Sequence, residues 1–186
     1  MASAAIVVLL SQLVALEKRP LSIIIRPIQL TDLPAIVAIL NPFIETSATT
    51  FDTEPYTVTT RLPWFHQFKD TGRYRCFVAE TPDGELLGFA NSGPLRPKRA
   101  YDTSVEVSIY RSPERTVSGL GSLLYAELFT ALADEDVHRA HAVITLPNKA
   151  SIGLHQKFGF YEVGTLNEAG RKFGRYHDVF WMEKRC

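Results

Sequence analysis

Cysteine is scarce: the 186 residues hold two, Cys76 and Cys186, far apart in the chain. That excludes a disulfide framework and any zinc site built on paired thiolates, and it makes a reducing, cytoplasmic setting the default expectation. Charge of one sign is not in excess either, with 20 Lys+Arg against 20 Asp+Glu. A protein whose main business is coating nucleic acid or an anionic membrane is thereby excluded, while local basic patches are not. No apolar run reaches the roughly 20 residues that cross a bilayer. No internal repeat, low-complexity tract or long linker interrupts the chain. With 46% hydrophobic and 11% aromatic residues, and 11 each of Gly and Pro, the composition sets aside global disorder, collagen and coiled coil. A chain of this length suits one domain with a full core.

Residues 4–16, AAIVVLLSQLVAL, form the longest apolar run. It has the look of the h-region of a secretory signal, yet no Lys or Arg precedes it, as such signals require. The first charges follow it, at Glu17, Lys18 and Arg19, and then comes Pro20. Three readings stand: a helix packed on the domain, a weak targeting or membrane-surface segment without a stable span, or a disordered extension. Residues 1–21 are therefore set apart from a domain at 22–186.

Within that domain strand and helix patterns alternate. Ser22–Pro27 is a β-branched run, and Thr31 and Asp32 are N-cap candidates for a helix bearing Leu33, Ile36, Val37, Ile39 and Leu40. A polar loop, ETSATTFDTEPYT, leads to a second helix at Thr57–Phe68 that Pro63 limits or kinks. Arg75–Glu80 and Leu87–Gly93 read as a hairpin about Pro82-Asp83-Gly84. Ser104–Tyr110 alternates with period two, and Gly119–Leu132 is an amphipathic helix. Ala140–Leu146 is a strand, Ala150–Phe158 a short helix, and Phe160–Leu166 and Asp178–Glu183 are the last strands. The expectation is a mixed α/β (α+β) domain on a strongly bent or split sheet.

The sharpest signal is the turn from strand to helix at Val117-Ser118-Gly119-Leu120-Gly121-Ser122. Two glycines there let a ligand approach the backbone, and the first N–H groups of a helix have no internal partner. Such groups bind phosphate well, although a tight loop that merely starts a helix has the same sequence. A Walker A loop needs a lysine after the last glycine, and Ser122 stands there; a dinucleotide fingerprint needs a third glycine, and position 124 is leucine. The phosphate carrier is then neither a nucleoside triphosphate nor NAD.

This strand–glycine turn–helix resembles the pyrophosphate-binding motif of the GNAT acetyltransferases. A second matching piece is Asn148-Lys149-Ala150-Ser151 followed by Leu154-His155-Gln156-Lys157-Phe158-Gly159-Phe160. Within the family the chain looks most like the phosphinothricin N-acetyltransferases and their amino-acid-acetylating relatives. That likeness rests on Ile44–Pro55, Ala100–Pro113, Ser118–Leu128, Leu146–Ser151 and Gly170–Trp181, in that order. It implies the GNAT fold: a strongly bent, mostly antiparallel sheet with one splayed parallel pair and helices on both faces. It also implies acetyl-CoA as co-substrate, no metal, and a small-molecule amine as acceptor. A homodimer is plausible on the same ground, since such pockets often border a dimer interface.

By the same resemblance, backbone at Ile109, Tyr110 and Arg111 and the loop Val117, Ser118, Gly119, Leu120, Gly121 and Ser122 grip acetyl-CoA, with Asn148 on its pantetheine arm. Glu106 matches the family's catalytic carboxylate and is the general-base candidate; a partly desolvated carboxylate suits that task. His155 stands where many relatives carry a tyrosine that protonates the departing thiolate, and it serves as that acid or positions Glu106 and the amine. Arg96, Arg99 and Lys172 are candidate cations for an acidic substrate, with Phe51 and Tyr101 as walls. The chain departs from the family motif at Thr116, where Gln or Arg is expected, and at Val117, where relatives place Arg. A catalytically weak protein that binds acyl-CoA or a partner therefore stays as the alternative. Polyamine substrates fit poorly beside a basic cluster, whereas protein amino groups remain open.

Overall fold

A computed structural model of the chain describes residues 22–186 apart from Thr116; the apolar run at 4–16 and that loop threonine lie outside the described residues. One sheet carries the strands β1 (Ile24–Pro27), β2 (Cys76–Glu80), β3 (Leu86–Pro94), β4 (Ser104–Arg111), β5 (Arg139–Thr145), β6 (Tyr161–Lys172) and β7 (Arg175–Arg185). Their order is β1-β2-β3-β4-β5-β7-β6. Every neighbouring pair is antiparallel except β4 and β5, which run parallel. The helices are α1 (Leu33–Thr46), α2 (Val58–Phe65), α3 (Leu120–Leu132) and α4 (Lys149–Lys157). Among the described residues no helix is long and apolar enough to cross a membrane.

Helices cover both faces because the strands are apolar on both. In β2 and β3 nearly every residue is buried, the pattern of strands sandwiched between layers. On one face Val105, Val107, Ala140, Ala142 and Met182 pack against Leu120, Leu124, Leu128 and Leu132 of α3. Those leucines recur every four residues and so share one stripe of the helix. On the other face Val78 and Phe89 pack against Ile36, Ile39 and Leu40 of α1, with Trp64 of α2 partly buried beside them.

Two expectations need correction. The last hairpin is much longer than its apolar runs suggest. Beyond Leu166 the polar stretch to Lys172 stays in strand by pairing, Gly170 with His177 and Lys172 with Arg175. Phe173 and Gly174, both at positive φ, make the tight turn that such a hairpin favours. Asp32 precedes α1, but its carboxylate does not cap the helix. It accepts instead from the Gln29 N–H at 2.7 Å and from both ends of the Arg26 guanidinium, at 2.7 and 2.8 Å.

Arg26 also reaches Glu80 at 2.6 Å, so one cation ties β1 to β2 and to the start of α1. Asp32 is buried, and the loss of Arg26 would strand its charge. Arg26→Met should lower the free energy of unfolding by about 3 kcal/mol in urea denaturation. Arg73→Ala, which removes an ion pair to the exposed Asp136, should leave the urea midpoint close to wild type, because solvent screens such pairs.

Candidate active site

β4 alternates as its sequence suggests: Val105 and Val107 are buried against α3, which turns Glu106, Ser108 and Tyr110 to the opposite face. The strand stays paired to β3 as far as Arg111, but its pairing to β5 ends at the rung Glu106–His141. From there the two strands part around a cavity of about 530 Å³. One wall is Val107 to Pro113 and the other Ala142 to Thr145. The start of α3 contributes Gly119, Gly121 and Ser122, and α4 contributes Ser151, Leu154 and His155, with Asn148 just before it.

Gly119 adopts φ +80°, a left-handed conformation that side chains resist, and this swings the chain into α3. Gly121 sits close to α4: a Cβ there would lie 3.0 Å from Leu154 Cδ2, which would have to give, and in ordinary contact with Ile109 Cδ1 at 3.5 Å. The unpaired edge of β4 offers main-chain groups to an extended amide-bearing chain, and the first turn of α3 offers N–H groups to an anion. That combination fits the pantetheine and pyrophosphate of acetyl-CoA. Asn148 lines the cavity and caps α4, accepting from the Ser151 N–H at 3.1 Å.

The side chains around this loop are arranged differently from the family motif. Arg115 pairs with Glu85 of the β2–β3 turn. Val117 packs against the hydrophobic core. The cation at the start of α3 is Lys157 of α4, whose Nζ donates to Ser122 Oγ at 2.8 Å.

Glu106 is half-buried, and desolvation raises its carboxyl above the ordinary carboxylate range, opposed by the charge of Arg96. Arg96 itself lies over the Trp181 ring, 5.1 Å from its centroid. His155 is not beside Glu106. It is buried on the α3/α4 face, where Nδ1 bonds the Ser151 carbonyl at 2.7 Å and Nε2 meets the Tyr125 hydroxyl at 2.8 Å. Nδ1 therefore carries the proton and Nε2 accepts from the tyrosine. The reading in which His155 positions Glu106 does not hold, because the two stand on opposite faces of β4.

Of the residues assigned to substrate, Lys172 is placed otherwise. It is buried, and its Nζ donates to the Thr50 carbonyl at 2.8 Å, so it fastens the loop after α1 and does not line the cavity. Phe51, in that loop, lies against Gly170, where a Cβ would overlap its ring. Arg99 and Tyr101 form an exposed turn just before β4. Two contributors to the cavity and its rim went unread in the sequence. Tyr125 falls on the apolar stripe of α3 and reads as core, and Lys157 lies inside a matched stretch with nothing to mark it.

A parallel strand pair that parts beside a glycine-led helix start suits an acyl-CoA, and the chain belongs to the Acetyltransferase (GNAT) family, which it matches over residues 38–160. It is 49% identical to the phosphinothricin N-acetyltransferase of Streptomyces coelicolor, over 86% of this chain and 94% of that one. It is 34% identical to the L-methionine sulfoximine/L-methionine sulfone acetyltransferase of Pseudomonas aeruginosa, over 86% and 92%. Among solved structures, the phosphinothricin acetyltransferase of Sinorhizobium meliloti, in complex with acetyl-CoA, superposes with a TM-score of 0.80 at 30% identity, over 88% of each chain.

Burial lowers the pKa of both His155 and His141 from the ordinary 6.5. Below that value the unfolded chain binds protons that the folded chain refuses, so stability should fall as the pH drops through this window. His155→Gln should shallow that fall in urea titrations at pH 7.5, 6.5 and 5.5 (about unit steps). An unchanged slope would contradict a neutral, buried His155.

Proposed function

We propose that the chain transfers the acetyl group of acetyl-CoA directly to the amino group of a small amino-acid-like substrate of the phosphinothricin or methionine sulfone/sulfoximine type. The observation that carries this reading is a desolvated carboxylate, Glu106, on the last rung before the strands part. The names of the relatives support the acceptor class.

An amine arrives as ammonium and must lose a proton before it can attack. Glu106, made more basic by burial, takes that proton directly or through water. The nitrogen then bonds the thioester carbonyl carbon, the C–S bond breaks, and CoA leaves as thiolate. Main-chain N–H groups at the β4 edge are the preorganised donors for the developing oxyanion. Tyr125 lines the cavity, and its hydroxyl proton, held at rest by His155 Nε2, turns to the departing sulfur to stabilise the thiolate. Arg96, whose charge already reaches Glu106, holds the acidic group of the acceptor. Lys157 supplies the cation for the phosphate end of acetyl-CoA.

Glu106→Gln should lower kcat by about a thousandfold while the KM for acetyl-CoA barely moves. In the wild type kcat/KM should rise with pH as Glu106 ionises, from a pKa above the ordinary 4.5, and the variant should lack that limb. Full activity in Glu106→Gln would remove it as the base. Free-CoA release with phosphinothricin, methionine sulfone, methionine sulfoximine, spermidine and peptide amines tests the acceptor class, and turnover confined to spermidine or peptides would refute it. Lys157→Ala should raise the KM for acetyl-CoA about tenfold, an effect that shrinks with added salt; an unchanged KM at low salt would dismiss the lysine.

A further inference from the structure

Away from the cavity, a row of titratable side chains crosses four strands of the sheet. Glu106 of β4 is the register partner of His141 on β5, His141 is the partner of Glu183 on β7, and Glu183 is the partner of Tyr161 on β6. Partners on neighbouring strands point to the same side of a sheet. The buried neighbours Val105 and Val107, Ala140 and Ala142, and Met182 all face α3. The four side chains therefore stand in one row on the other face, running from the point where β4 and β5 part to the edge strand.

We infer that His141 and Glu183 form a relay that carries the proton taken up by Glu106 out to the edge of the sheet at Tyr161. The relay rests on Glu106 being the base. Each turnover leaves a proton on that carboxylate, and the proton must go before the next ammonium is deprotonated. Rungs of a sheet stand about 5 Å apart, so a single water between Glu106 and His141 would complete the first link.

His141 is placed to pass a proton on to Glu183. Its Nδ1 is buried and has no hydrogen-bond partner, which is uncommon for an interior nitrogen. It lies 3.7 Å from Glu183 Oε2, just beyond bonding distance. The charged groups around the ring are Glu183 on β7, Arg139 on its own strand, Arg96 from the segment after β3 and, by register, Glu106 on β4. Burial and the two arginines keep the imidazole neutral, and Glu183 stabilises it once protonated. On the far side Glu183 accepts from the Tyr161 hydroxyl, which also accepts from Arg139 Nη1 at 2.9 Å. Tyr161 is 49% exposed, so the row ends in water. Only a proton moves along it: it leaves Glu106, passes through His141 to Glu183, and goes to solvent buffer beside Tyr161.

The test uses the full-length enzyme with acetyl-CoA and the best acceptor amine, in a dilute, bulky buffer. His141→Ala should lower kcat about tenfold, leave the KM for acetyl-CoA and the melting temperature near wild type, and regain activity saturably as imidazole is added. His141→Gln, which keeps the volume and a polar head, should show the same low kcat. Glu183→Gln should lose activity in dilute buffer and recover at high buffer concentration. Wild-type kcat in His141→Ala without buffer overturns the relay, and so does a loss that imidazole does not restore, since that marks a packing role. Glu106→Gln separates the two levels: an inactive Glu106→Gln beside a fully active His141→Ala removes the relay alone. A fully active Glu106→Gln removes the base and the relay with it.

Discussion

Three parallel rungs join β4 to β5, and the strands then separate around the cavity, which the start of α3 and side chains of α4 help to line. Each strand keeps its outer partner, β4 with β3 to Arg111 and β5 with β7 to Thr145. Each therefore turns a row of main-chain donors and acceptors into the gap. Such groups are expensive to leave dry, so the parting creates a standing demand for an extended polar ligand. Shape also seats the helix start: α4 comes so close to α3 that a methyl group at Gly121 would press on Leu154. Ligand grip, helix start and strand separation are thus one packing solution.

The sheet divides the work between its faces. On the α3/α4 side lie the glycine turn, Asn148 and the Tyr125–His155 pair, all groups that suit a thioester carrier. On the α1/α2 side lie Glu106 and Arg96. There two opposed effects act on the carboxylate, and burial outweighs the arginine, since the net shift is upward. The loop after α1 borders this side and is fastened from a distance. Lys172 holds the Thr50 carbonyl, Phe51 rests on Gly170, and His177 Nε2 donates to the Lys172 carbonyl at 3.2 Å. Desolvation lowers the pKa of Lys172, a burial cost that makes sense for a fastening and would be wasted on a cation meant to meet substrate in water.

Local pattern carried much of this and failed where side chains act over long sequence separations. The alternation of Ser104–Tyr110 located Glu106 on the face away from α3, and the glycine pair located the helix start, because both signals lie within a few residues. The length of β6 and β7 was not legible, since Asn167–Lys172 has no alternating apolar face and is strand only by virtue of its partner. Asp32 looked like a cap because the sequence does not show Arg26 arriving from β1. Lys172 looked like a free cation because its carbonyl partner is Thr50, far away in sequence. His141 drew no notice, since a histidine between alanines in a strand gains meaning only when register sets it between Glu106 and Glu183.

The departures from the family motif in the glycine loop need not weaken the grip on phosphate. An arginine side chain at 117 would point a cation at the anion, yet here Val117 packs into the core and helps to seat the start of α3. Arg115 cannot substitute while it is paired with Glu85. What remains is the part of the site that owes nothing to side chains: aligned N–H groups at a helix start and a left-handed glycine that exposes them. Lys157 then adds a charge from α4, already hydrogen-bonded to Ser122 in the first turn. The lysine comes from the helix that also carries His155, so one element places both side chains.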